Sequence, residues 1–175
     1  ERGRQQVILE TPRLILTPLG LEDLPKIWEW KSGRTGRMMH TLIPGERDFE
    51  EFRRDAMNGR FGNGLCYAVH LKEDGLALIG AWWACQAGTA YPEAICSLIF
   101  GQGHHGKCYA EESGRALIAH AIELGYKRLA VYIDAQNRPA VRLAKRLGFK
   151  QEGLFEYPGR AFMEVWARLT GKDGL

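Results

Sequence analysis

The stretch GQGHHGKCYAEE, residues 101–112, holds glycines that fit two phosphate-binding patterns at once. Gly101, Gly103 and Gly106 spell G-x-G-x-x-G, the dinucleotide fingerprint, while Gly101, Gly106 and Lys107 spell G-x-x-x-x-G-K, the opening of a triphosphate loop. Both work by the same chemistry. Small residues let backbone N–H groups close on a phosphate, and the helix that follows supplies unpaired N–H groups and the positive end of its dipole. The dinucleotide reading needs an acidic residue about 20 positions on and several further βα units. Asp134 comes too late, and residues 107–175 are too few for such a sheet. The triphosphate reading needs Ser or Thr after the lysine to ligate Mg²⁺, a hard cation, and Cys108 stands there. Two readings stay open on these residues alone: a plain strand-to-helix turn, or a cradle for some other phosphate.

Other reactive side chains do not assemble into a motif. Cys66, Cys85, Cys96 and Cys108 form no C-x-x-C pair, so neither a metal site nor a disulfide framework is expected. Cys96 has no partnered histidine in its segment and reads as a packed strand thiol. Arg138, Arg142, Lys145 and Arg146 make a basic stretch, suited either to a phosphate or to a solvated helix face.

These residues need elements to position them. ILETPRLILTPL, residues 8–19, alternates around Pro12 and reads as a first strand, followed by a helix from Glu22 to about Lys31. Residues 34–44 read as loop. ERDFEEFRRDAMNG puts Phe49, Phe52 and Ala56 on one helical face before an Asn58-Gly59 stop. LCYAVHLKEDGLALIGAWWACQAG reads as a hairpin turning at Asp74-Gly75, and EAICSLIF as a third antiparallel strand. Beyond the glycine loop, Gly114, Leu117, Ile118, Ala121 and Ile122 recur at helical spacing, so the spacing predicts a helix from about Cys108 to Leu124, stopped by Gly125. RLAVYID reads as a buried strand. Asn137 caps a second helix with Pro139 in its first turn, Ala140, Val141, Ala144 and Leu147 inward and Gly148 as its stop. Two closing strands follow, near Phe149 to Phe155 and Ala161 to Leu169.

A chain of 175 residues suits one domain, here 1–175, and 45% hydrophobic with 26% charged residues suits a globular fold. A net charge of +3 and a pI near 8.7 favour anionic ligands slightly and do not single out nucleic acid as a partner. No apolar run approaches the roughly 20 residues that span a bilayer, and ERGRQQVILE has no signal-peptide core, so no membrane partner and a cytoplasmic location are expected.

The order of elements, an antiparallel meander, then strand, glycine turn, helix, strand, Asn-capped helix and two strands, resembles the GNAT N-acetyltransferase fold along nearly the whole chain. HHGKCYAEE is similar to that family's R/Q-x-x-G-x-G/A loop, and YIDAQNRPAVRLAKRLGFKQEG to its N-x-x-(S/A)-x-x-L-x-x-x-x-GF segment. LETPRLILTPLGLEDLPKIWEW is similar to the opening of the Rim-type branch, which acetylates ribosomal-protein N-termini. The resemblance implies an α/β (α+β) domain with a mixed, mostly antiparallel twisted sheet of about seven strands, about four flanking helices and splayed central strands. It implies acetyl-CoA as co-substrate and a small-molecule or peptide amine as acceptor, in a monomer or homodimer, with no metal.

What the resemblance implies for residues follows. His105, Gly106, Lys107, Cys108, Tyr109 and Ala110 would hold the diphosphate, with Asn137 and Arg142 on the second helix. Amides near Leu98, Ile99 and Phe100 would meet the pantetheine arm and polarise the thioester carbonyl. Glu156 would take the amine's proton, with Glu93 as the alternative. Trp28, Trp30, Met38, Met39 and His40 are candidates for the acceptor wall, with core packing favoured for Trp28. The chain departs from the family pattern at Gly103, where Arg or Gln is usual, and at Cys108, where Gly or Ala closes the loop. Ala144 and Ala140 stand where Tyr and Ser often serve as proton donors, which leaves an acetyl-CoA-sensing domain with impaired catalysis as the rival reading, and a purely structural domain as a third.

Overall fold

The computed structural model describes residues 7–33, 48–56, 65–86, 91–157 and 160–170. Eight strands form one mixed sheet: β1 (Leu9–Glu10), β2 (Leu14–Pro18), β3 (Tyr67–Leu71), β4 (Ala77–Gln86), β5 (Glu93–Phe100), β6 (Arg128–Asp134), β7 (Lys150–Tyr157) and β8 (Arg160–Leu169). Their order across the sheet is β1-β2-β3-β4-β5-β6-β8-β7. Among the described residues four helices flank it: α1 (Leu24–Ser32), α2 (Phe49–Asp55), α3 (Tyr109–Glu123) and α4 (Arg138–Arg146).

The strand alternation sorts the core into two faces. Trp82 points into the cluster that α3 and α4 cover with Leu117, Ile118, Val141 and Ala144. Its neighbour Trp83 joins the opposite cluster, with Leu24 and Ile27 of α1 and Phe52 of α2. The buried indole of Trp82 donates to Ser113 Oγ at 2.9 Å, and that hydroxyl donates to the Tyr109 carbonyl at 2.8 Å. No polar atom of the pair is stranded. Trp28, half-buried, packs against this second cluster beside Phe49 and Phe52, with ring centroids 6.4 and 5.5 Å away.

One expected element is two. Residues 8–19 do not form a single strand: Leu9 pairs with Leu16 and Glu10 with Ile15, so β1 folds back on β2. Pro12 has no N–H to give a ladder. Thr11 closes the turn instead, its N–H donating to the Leu14 carbonyl at 3.0 Å and its hydroxyl oxygen accepting from Leu14 N at 3.0 Å. Among the described residues the sheet therefore has eight strands rather than about seven.

Every strand pair in this sheet is antiparallel except β5 with β6. That parallel pair runs only from Glu93↔Arg128 to Ile95↔Ala130. Beyond it β5 stays on β4 as far as Phe100↔Gly80, and β6 stays on β8 as far as Asp134↔Met163. The two central strands thus part from Cys96 onward and leave a notch in the middle of the sheet. Residues 34–44 and the Asn58-Gly59 stop, with Met38, Met39 and His40, lie outside the described residues.

Candidate active site

The open edge of β5 presents backbone groups. Gly101 N donates to Ile79 O at 2.9 Å, which makes that pair a hydrogen-bonded one in the antiparallel ladder. Residues alternate in such a ladder, so Ile99 and Ser97 also face β4, while Leu98 and Phe100 turn their amide N–H groups toward the notch. Pro92 on the same side confirms the parity, since its carbonyl accepts from Lys127 N at 2.7 Å beside β6. Of the three amides named from the sequence, Ile99's belongs to the β4 ladder.

At the head of the notch the chain makes a short 3-10 turn over Gln102–His104 and then reaches α3. Gly106 has φ +74° and Cys108 φ +63°, so left-handed residues stand either side of Lys107. Such an alternation curls successive N–H groups into a concave nest. The first helical bond is Glu112 N to Cys108 O, 3.0 Å. Among the described residues, no acceptor in the chain meets the N–H groups of Gly106, Lys107, Cys108, Tyr109, Ala110 or Glu111. A diphosphate needs this arrangement: unpaired donors, an outward dipole and no Cβ at Gly106, around which nothing lies within 4 Å.

The surroundings hold the nest in shape. His105 Nε2 lies 2.8 Å from the Phe100 carbonyl, which can only accept, so that nitrogen carries the hydrogen. Trp30 of α1 presses its ring on the chain at Gly101, where a Cβ would come within 3.0 Å of it. Glu112 reaches back to the β1–β2 turn: its carboxylate accepts from Thr11 Oγ1 at 2.6 Å, from Arg13 N at 2.9 Å and from Arg13 Nε at 2.7 Å. The Arg13 guanidinium also lies 4.6 Å from the Tyr109 ring centroid. Burial pushes the Glu112 carboxyl up, but the hydrogen bonds from Thr11 and Arg13 together outweigh it and hold the group below the usual carboxylate range. Glu111 is lowered too, by hydrogen bonds from Arg115 at 2.8 Å and Arg146 at 2.7 Å. No local pattern signals the Thr11–Arg13–Glu112 cluster, because Glu112 lies about a hundred residues along the chain from its two partners.

The remaining predicted residues fall in different places. Lys107 and Cys108 are exposed at the nest, and Tyr109 is buried beneath it. Asn137 accepts from Ala140 N at 3.3 Å and so caps α4, as its position in the sequence implies. Arg142 is exposed on α4; Arg146 is committed to Glu111, and Lys145 lies over the Trp166 ring at 5.6 Å. Glu156 is exposed near the end of β7. Glu93 sits at the closed end of the β5–β6 pair, in ion pairs that join it and Glu152 to Arg128. Five residues of strand separate it from Leu98, roughly 16 Å, so it does not meet the open end of the notch. Cys66 and Cys96 are buried free thiols and Cys108 an exposed one. Among the described residues no cluster of three metal-ligating side chains occurs.

A parted parallel strand pair leading to an amide nest is the scaffold of an acyl-CoA-dependent transferase. The chain belongs to the GNAT family: the family model described as "Acetyltransferase (GNAT) domain" matches residues 13–150. It is an N-acetyltransferase with acetyl-CoA as co-substrate. It is 25% identical over 153 residues to an uncharacterized N-acetyltransferase, p20, of Bacillus licheniformis, covering 83% of this chain and 84% of the relative. Its fold is similar to that of spermidine N-acetyltransferase from Vibrio cholerae in complex with CoA and spermine, with a TM-score of 0.76 at 20% identity over 91% of this chain and 97% of the other. It is similar also to RimL, a ribosomal-protein alpha-N-acetyltransferase solved with coenzyme A, with a TM-score of 0.77 at 16% identity over 93% and 98% of the two chains. No described helix is long and apolar enough to cross a membrane.

Proposed function

We propose that the chain moves the acetyl group of acetyl-CoA to a primary amine, either a protein N-terminus or a small-molecule amine, by direct attack. The observation that carries this reading is the notch: Leu98 and Phe100 offer unpaired amides along its β5 edge, below the nest of Gly106 to Ala110. The nest would hold the diphosphate, and the β5 amides would pair with the pantetheine arm and polarise the thioester oxygen. Arg138 and Arg142 on the exposed side of α4 supply charge for the ribose phosphate. An α-amine, with a reference pKa of roughly 7.7–8.0, has a neutral fraction at pH 7 and needs only a weak base. In this reading Glu156, exposed on β7, would receive its proton.

The two acceptor classes follow from the neighbours, one solved with spermine and one acting on a ribosomal protein, and from the Rim-like opening of the chain. A panel of peptides with free N-termini, polyamines and amino acids, followed by release of the CoA thiol, tests the reading. Turnover of a member of the panel supports it. CoA binding without turnover on any amine would instead favour a sensing domain, the reading to which the inward Ala140 and Ala144 of α4 lend weight, since neither can carry a proton.

A further inference from the structure

Ser97 takes no part in the scheme above, yet it stands where the two central strands part. The β5–β6 ladder ends at Ile95↔Ala130, so Ser97 is the second residue of β5 beyond its last pair. Its side chain is on the face away from the nest. It lies directly across from Trp83 of β4, and both Trp83 and Ile99, two residues on, belong to the cluster under α1 and α2. Cys96 and Phe100 point the other way, into the cluster that also takes Tyr109 and Ala110 at the head of α3. Ser97 is half-buried, and among the described residues no group hydrogen-bonds to its hydroxyl. The hydroxyl is not sealed in either, since among those residues the one buried side-chain nitrogen or oxygen without a partner is His104 Nδ1. It therefore meets solvent. β6 brings one hydroxyl of its own to this face, that of Tyr132. The Tyr132 ring packs edge-on against Phe155 of β7 at 6.2 Å, which draws it over β8 and away from the notch.

A free hydroxyl at this point has the chemistry of an amine contact. In the acetyl-transfer reading, on which this inference rests, the Leu98 amide polarises the thioester oxygen from the open edge of β5. A carbonyl held by a strand amide lies near the plane of the sheet, so a nucleophile must approach it from one of the two faces. The face toward the nest carries α3, α4 and the cofactor. The attacking nitrogen comes from the other, reaching about 3–3.5 Å from the carbonyl carbon before the bond forms. Ser97 Oγ rises on that same face, one residue, roughly 3.3 Å, back along β5 from Leu98. We propose that Ser97 orients the acceptor: its hydroxyl oxygen accepts a hydrogen bond from an N–H of the neutral amine and so aims the lone pair at the carbonyl carbon. As the C–N bond forms the nitrogen turns positive and this hydrogen bond strengthens, so the contact favours the transition state over the bound substrate. The C–S electron pair leaves with the sulfur. The proton shed by the nitrogen passes by way of Glu156 to solvent and the thiolate takes one from solvent, so the sum is amine plus acetyl-CoA giving N-acetylamine plus CoA thiol.

Ser97→Ala removes an oxygen that no described protein group uses, so the unliganded Tm should stay within about 1 °C of wild type. The rise in Tm on adding CoA and the KM for acetyl-CoA should be unchanged. With an amine from the panel above that the wild-type chain acetylates, kcat should fall about tenfold. Ser97→Thr restores the oxygen on a side chain suited to a strand and should bring kcat back to within about threefold of wild type. A Ser97→Ala enzyme within about twofold of the wild-type kcat overturns the proposal and leaves the acetyl-transfer reading intact. So does a loss that tracks a fallen Tm or a weakened CoA effect, and so does a threonine variant as slow as the alanine one. A wild-type chain that binds CoA and acetylates no amine overturns both.

Discussion

Gly106→Ala isolates the backbone of the nest, because nothing within 4 Å would meet the new methyl group and the only penalty is φ +74°. A left-handed conformation costs an alanine about 1–2 kcal/mol. The substitution also narrows the unfolded ensemble, which returns about 0.4–1 kcal/mol. The net destabilisation then lies at about 0–1.6 kcal/mol, centred on about 0.8, and at about 2–4 °C per kcal/mol for a chain of this size the unliganded Tm falls by about 2–3 °C at that centre. The loop has one escape: residue 106 can rotate to negative φ, which relieves the strain but turns the amides of Lys107 and Cys108 away from the nest. The energy then appears in binding, where 1.4 kcal/mol is a factor of about ten in Kd. Thermal unfolding without ligand and calorimetric titration with CoA should together account for about 1 kcal/mol, however it divides between them. An alanine variant with unchanged Tm and unchanged CoA affinity would refute the claim that a left-handed residue at 106 shapes the site.

Cys108→Gly should act in the opposite sense: φ +63° suits glycine, the thiol is exposed, and the Tm should rise slightly or hold with CoA affinity preserved, as unfolding and titration will show. Gly80→Ala places a methyl 2.5 Å from the Phe100 ring, where β4 meets the last residue of β5; overpacking there should cost about 2 kcal/mol and lower the denaturant midpoint. The Glu112 carboxyl is held below its unfolded value, so its contribution is full above about pH 4.3 and is lost as pH falls through the lowered folded value. Glu112→Gln should therefore lower Tm at pH 7, by the equivalent of about 1–2 kcal/mol, and the gap to wild type should close on acidification toward pH 3.

The periodic parts of this fold are legible in the sequence. EAICSLIF is β5 from end to end, RLAVYID is β6, and the Asn137 cap and the left-handed Gly148 bound α4 where the local chemistry puts them. Local signals fix such elements because the interactions that set them span only a few residues. The β1–β2 turn escaped because an alternating run broken by proline reads alike whether it bulges or folds back; the choice is made by Thr11 and by Glu112, which arrives from α3. The notch is harder still. Both β5 and β6 are apolar runs suited to a fully covered parallel pair, and nothing in either says that pairing stops at Ile95↔Ala130. That feature came from resemblance, while its geometry, with Leu98 and Phe100 facing out and Ile99 facing in, depends on a register that only coordinates supply. Buried Glu164 is invisible for a related reason: in the alternating strand AFMEVWARL a glutamate reads as an outward residue until the register with Ile133 turns it inward.

The first turn of α3 looks wrong for an anion site, since it carries Glu111 and Glu112 beside the amides that would receive a diphosphate. Carboxylates in a first turn favour the helix dipole when no ligand is bound, so they help the helix to form. Left uncompensated, they would also repel the ligand. Each is instead matched by cations: Glu112 by Arg13 of the β1–β2 turn, Glu111 by Arg115 one turn on in α3 itself and by Arg146 from α4. The pairs do two things at once. They cancel the local negative charge, so that the amides and dipole dominate the potential at the nest, and they fasten the head of α3 to the β1–β2 turn on one side and to α4 on the other. The donors keep their direction because their helix cannot tilt without breaking one pair or the other, and preorganised donors of that kind are what a transferase without a covalent intermediate relies on.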